Sequence, residues 1–94
     1  MIGNYRNEDT ERFAAGRKVR QWEPFRRQAE KRSRVLDAAS SLSDLAALNS
    51  NRLEALRGNR KGQHSIRING QWRICLEWPM DEPGPSNVEI VDYH

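Results

Sequence analysis

The sequence predicts an α+β fold in which two N-terminal helices pack on one face of a small, largely antiparallel β-sheet. Three observations predict it. In the first half, Phe25, Ala29, Leu36 and Ala39 recur at spacings of four, seven and three residues, the period of a helix with one buried stripe. In the second half, Ile66 and Ile68 alternate with polar residues before Asn69-Gly70, and Trp72, Ile74, Leu76 and Trp78 alternate after it. A further alternating run, with Val88 and Ile90 on one side, follows a turn that holds Pro79, Pro83, Gly84 and Pro85.

Taken in order, residues 1–5 are a short extended candidate with Ile2 and Tyr5 available for packing. Asn7 can cap a helix whose first turn carries Glu8, Asp9 and Glu11, acids that suit the positive end of the helix dipole. Gly16 ends that helix, and residues 17–20 form a basic loop. A longer helix is expected from near Trp22, with Pro24 tolerated in its first turn, fading at Ser40-Ser41. Ser43-Asp44 then precede one further helical turn at residues 45–48. Residues 51–56 read as a short strand and residues 57–62 as a polar loop.

The hairpin that follows has a parity constraint. A two-residue loop at Asn69-Gly70 would pair Arg67 with Trp72 and send the two apolar rows to opposite faces. A three-residue loop with a bulge restores one shared apolar face, so an odd loop is expected. Ser65, Arg67, Arg73, Cys75 and Glu77 then share the face turned away from the helices. Residues 87–94 form the last strand.

The chain has 94 residues, of which Leu, Ile, Val and Phe make up 18. That is enough for one compact domain (1–94) with a thin core. No apolar run approaches a membrane span, and no signal pattern opens the sequence, so a cytoplasmic protein with no membrane partner is expected. The single cysteine, Cys75, excludes an internal disulfide and a cysteine-based zinc site; two scattered histidines add no metal site, and no cofactor is expected.

The net charge of +3 hides an uneven layout. Residues 52–73 hold six Lys and Arg against the single acid Glu54, while residues 35–51 and 74–94 hold seven acids and no Lys or Arg. A polyanion such as RNA responds to local basic fields rather than to the total. Basic residues on a helix also form plain solvated faces; the 52–73 segment is more telling because its charges fall on a loop and a hairpin.

The run from Arg52 to Arg60 (RLEALRGNR), the run from Gly62 to Ile68 (GQHSIRI), Gln71-Trp72-Arg73-Ile74-Cys75 and the final Asn87 to His94 (NVEIVDYH) resemble the HigB family of bacterial toxins. The resemblance covers nearly all of residues 52–94, and the N-terminal half agrees in layout. It implies a RelE-like fold and ribosome-dependent cleavage of mRNA in the 30S decoding site. It also implies neutralisation by a HigA-like helix-turn-helix antitoxin, with operator DNA contacted only through the antitoxin complex. Some members carry a histidine where this chain has Glu54 and a lysine where it has Arg57; here the charge at 57 is kept, but a glutamate cannot act as a histidine would, so the general base stays open between Glu54, Asp92 and His94.

Metal-independent RNA cleavage uses the ribose 2′-OH as internal nucleophile, and the protein supplies a base, an acid for the departing 5′-oxygen, and cations for the phosphorane. The candidate catalytic residues are His94, Asp92, Tyr93, Arg73 and Glu54. His94 is the better acid or base because an ordinary imidazole titrates near neutrality. Asp92 can act as base or orient a partner, and Tyr93 can stack on a nucleobase. In a strand, however, Asp92 and His94 share one face and Tyr93 takes the other. Arg73 is the preferred phosphate clamp because its planar fork matches two phosphate oxygens. Arg57, Arg60, Lys61, Arg67 and His64 are the further RNA-contacting candidates. Two other classes stay open: a non-catalytic ribosome- or RNA-binding inhibitor of translation, and a purely protein-binding module. Cys75 reads as a small strand residue without redox function.

Overall fold

A computed structural model describes residues 1–92. Three α-helices, α1 (Glu8–Ala14), α2 (Arg26–Ala38) and α3 (Leu42–Ala47), precede four strands, β1 (Glu54–Ala55), β2 (His64–Arg67), β3 (Trp72–Glu77) and β4 (Ser86–Asp92). The strands form one sheet in the order β1-β2-β3-β4, each neighbouring pair antiparallel, as the alternating pattern predicts.

Local chemistry explains the helices. The Asn7 side chain accepts from the Thr10 amide at 2.9 Å and starts α1, and Gly16, at φ 87°, ends it in a conformation that side-chain-bearing residues avoid. Ser41 caps α3 by accepting from the Asp44 amide at 3.3 Å, while the Asp44 carboxylate accepts from the Ser40 amide, one residue before the cap, at 2.8 Å. The second helix departs from expectation at its start. Residues Arg20–Phe25 wind as a 3-10 helix, and α-helical geometry begins only at Arg26. Pro24 is the physical reason: it has no N–H to give, and it disfavours α-helical geometry at the residue before it. Among the described residues the strand expected over 51–56 shrinks to β1, because residues Asn49–Asn51 form a 3-10 turn and Arg52 adopts left-handed geometry at φ 46°.

The hairpin parity is the odd one. Ile66 pairs with Ile74 and Arg67 with Arg73, so three residues, 69–71, bridge Ile68 and Trp72. The amides of Ile68 and Asn69 both donate to the Trp72 carbonyl, at 3.0 and 3.2 Å, which is a bulged closure. The apolar row therefore faces the helices as one surface. Phe13, Trp22, Phe25, Ala29, Leu36 and Leu45 pack there against Ile66, Ile68, Ile74, Leu76, Val88 and Ile90. Phe25 stacks on Trp72 with ring centroids 5.1 Å apart, fixing the 3-10 segment against the hairpin.

The outer edge of β4 is not left open. Tyr5 bridges Val88 in parallel, and the Gly3 amide donates to the Pro85 carbonyl at 2.8 Å. Thr10 of α1 accepts from the Ile90 amide at 3.1 Å. The N-terminal segment thereby supplies the partners that an edge strand otherwise offers to other chains. Among the described residues no helix is long and apolar enough to cross a membrane.

Candidate active site

Alternation along β3 puts Arg73 on the face away from the helices, opposite Arg67 of β2 and Val91 of β4. Its guanidinium is held on two sides. Nε donates to Ser65 Oγ at 2.7 Å, and Nη2 donates to the Arg52 carbonyl at 2.6 Å. Glu54 Oε2 lies 3.8 Å from Nη2, reached from β1, where Glu54 pairs with Ser65 and so shares its face. The Arg73 side chain is only 14% exposed and that of Glu54 57%, so the cation is fixed and the carboxylate is wet. With its carboxylate in water, a pair at this distance contributes little to stability. Asn49, Arg52, Leu53, Glu54 and Arg73 line an open cleft of about 520 Å³. A smaller hollow of about 230 Å³ adjoins it, sharing Asn49, Arg52 and Leu53 and adding Ala46 and Leu48.

The other expected residues divide. Arg67 stands beside Arg73, half-buried, with no ion pair among the described residues. Arg57 and Lys61 are exposed on the loop after β1. Arg60, on the same loop, is turned inward: Nη1 donates to Glu89 Oε1 at 2.7 Å and to Gln63 Oε1 at 3.1 Å. Arg6 of the N-terminal segment stands 3.8 Å from the same Glu89 carboxylate and 3.7 Å from Glu77. His64 pairs with Ala55 and Leu76 and so sits on the helix-facing side; its Nδ1 is buried without a hydrogen-bond partner. Asp92 pairs with Trp72, one position out of phase with Arg73, and accepts from Gln71 Nε2 at 2.9 Å. It is exposed, but on the opposite face of the sheet from the cleft residues Arg73 and Glu54. Tyr93 and His94 lie outside the described residues.

The face expected to be open and basic is therefore partly roofed by its own arginines. Cys75 and Ser65 are completely buried on it. Burial pushes the Cys75 thiol up from its ordinary pKa, against the pull of Arg60, Arg73 and Arg6, so the thiol stays protonated. Two residues at or behind the site escaped the sequence reading. Arg52 both lines the cleft and supplies the carbonyl that holds Arg73, and Asn51 before it is wholly buried. The signal was present in Asn49-Ser50-Asn51, three turn-forming residues that argue against a strand starting at 51.

With a fixed arginine, a neighbouring carboxylate and a four-stranded sheet in place, comparison with known proteins is informative. Residues 4–94 match the family described as RelE-like toxin of type II toxin-antitoxin system HigB. The chain belongs to this family. A curated relative, Toxin HigB-1 of Vibrio cholerae serotype O1, is 50% identical over 44 residues, 47% of this chain and 46% of that toxin. The matched stretch thus spans about half the length of the curated relative. For this HigB-like chain the α+β architecture is that of the RelE-like fold.

Proposed function

We propose that this HigB-like chain is the toxin of a type II toxin–antitoxin pair, acting in the cytoplasm as an endoribonuclease on mRNA in the 30S decoding site. A HigA-like helix-turn-helix antitoxin would neutralise it and carry the pair to operator DNA. One observation carries the catalytic reading: a guanidinium held by two hydrogen bonds stands 3.8 Å from a solvent-exposed carboxylate at one cleft.

The chemistry follows from those groups. Nε and Nη2 of Arg73 are occupied, which leaves the two protons on Nη1 for the non-bridging oxygens of the scissile phosphate. Fixed donors of this kind cost no reorganisation as charge develops on the phosphorane. Glu54 takes the 2′-OH proton; the 2′-oxygen then forms its bond to phosphorus as the bond to the 5′-oxygen breaks. His94 is assigned as the acid that protonates the 5′-oxygen, with Tyr93 as a stacking partner for a base. Asp92, hydrogen-bonded to Gln71 on the opposite face of the sheet from Arg73 and Glu54, is given no step at this cleft. Arg67, Arg57 and Lys61 supply diffuse phosphate contacts.

Expressing the chain and mapping mRNA 5′ ends tests this. New ends on translated messages are expected with the wild type. In Arg73→Ala the cleavage rate should fall by about 100- to 1,000-fold, the loss typical of one preorganised charge donor. His94→Ala should also lose cleavage. Growth arrest without new ends would instead indicate inhibition by occupancy of the ribosome. Neither ribosome binding nor arrest would leave a protein-binding module.

A further inference from the structure

Arg73 serves a phosphate well only if its guanidinium is held still, and part of the hold depends on an unfavourable backbone conformation. The Arg52 carbonyl accepts from Nη2 of Arg73, and Arg52 itself is left-handed at φ 46° and ψ 53°. Outside glycine such geometry is uncommon, and it persists where the surroundings over-determine it. Asn51 provides that determination. It is wholly buried; its amide donates to the Leu48 carbonyl at 2.9 Å, and Nδ2 donates to the Leu45 carbonyl at 3.0 Å. Its Oδ1 accepts from Nη1 of Arg32, on α2, at 2.5 Å.

Arg32 is the odd member of this chain of contacts. It is half-buried, forms no salt bridge among the described residues, and its Nε is buried with no hydrogen-bond partner. Besides Asn51 it reaches, among the described residues, only Ser50 Oγ, at 3.4 Å. A cation so placed opposes folding, because one donor is desolvated without return. An aliphatic residue of similar length would cover the same surface without that cost.

We propose that Arg32 and Asn51, neither of which lines the cleft, are positioning residues for Arg73. Arg32 holds Asn51, Asn51 holds the left-handed turn, and the turn presents the carbonyl that fixes the guanidinium. The proposal rests on Arg73 as the phosphate-binding group, but its test has one readout that does not.

That readout is proton exchange at the Arg73 Nε–H in the full chain, followed by nuclear magnetic resonance and assigned by its loss in Arg73→Lys. Arg32→Met should speed this exchange about tenfold, the weight of one lost charge-assisted hydrogen bond. Arg32→Lys, which can still donate to Asn51, should recover part of the protection. In ribosome complexes Arg32→Met should lower the single-turnover cleavage rate by about 10- to 100-fold with KM little changed. It should add nothing in an Arg73→Ala background. Asn51→Ala should behave alike; if it does not fold, Arg32→Met carries the test. Unchanged Arg73 exchange overturns the proposal whatever the ribosome assay gives. So does faster exchange with undiminished cleavage, or a loss of rate that persists beside Arg73→Ala. A wild-type chain that cleaves nothing refutes the nuclease reading alone, and the exchange data still decide whether Arg32 holds Arg73.

Discussion

Cys75 shows how one residue can sit among charges and stay inert. Its thiol lies on the arginine-bearing face yet is fully buried, and burial outweighs the three nearby guanidiniums in setting its pKa. A raised pKa in an acid means that the folded chain keeps a proton which the unfolded chain gives up. The proton count thus favours unfolding once pH climbs past about 9, the thiol's ordinary value, and stability present below that pH is lost above it. Tyr5, raised mainly by burial, adds to the same alkaline loss from about pH 10. Urea melts between pH 8 and 11 should therefore show a falling midpoint, and Cys75→Ala should remove the earlier part of the fall. A thiol reagent should label the native protein only at the rate of unfolding.

At the scale of elements, the β2–β3 hairpin depends on one side chain. Asn69 Oδ1 accepts from the amides of Gln71 and Trp72, at 2.8 and 2.9 Å, and this closes the three-residue loop that keeps Ile66 and Ile74 on a common face. Asn69→Ala should cost about 1–2 kcal/mol in a denaturant melt, and Asn69→Asp, which keeps the acceptor, should cost less. The hairpin was legible because a strict alternation and a buried face leave only odd loops open. The caps at Asn7 and Gly16 were legible for a similar reason, since short-range chemistry decides them. Residues 20–25 and 51–56 were legible only in part, through Pro24 and the turn formers Asn49-Ser50-Asn51, because neighbours remote in sequence complete their shape. Phe25 winds against Trp72, and the Asn51 side chain is claimed by Arg32 and Leu45. In the site, Arg73 and Glu54 could be found by face and charge. The hold on Arg73 could not, because it runs through a main-chain carbonyl whose direction no side-chain pattern encodes.

Over the whole molecule, an arginine count overstates the charge offered to RNA. Arg60 and Arg6 are committed to Glu89 and Glu77, while Arg67 forms no ion pair among the described residues. Binding to mRNA-programmed 30S subunits, titrated with potassium chloride, should separate these groups. Arg67→Ala should weaken binding and reduce the logarithmic salt slope by about 0.7, one phosphate contact on single-stranded RNA. Arg60→Ala should leave the slope nearly unchanged and lower thermal stability instead, since it strips a nearly buried carboxylate of its nearest cation.

The strap of residues 3–6 along β4 has one more consequence, which concerns time. Asn4 accepts from the backbone amide of Asn87, 83 residues away in the chain, and Thr10 accepts from Ile90 across 80. Contacts of such long range are the slow ones to form. During synthesis the opening segment and α1 emerge with no strand to receive them. The core can close only after residues 86–92 have left the exit tunnel, so a nascent chain that has not yet released them is an unfinished protein rather than a working one.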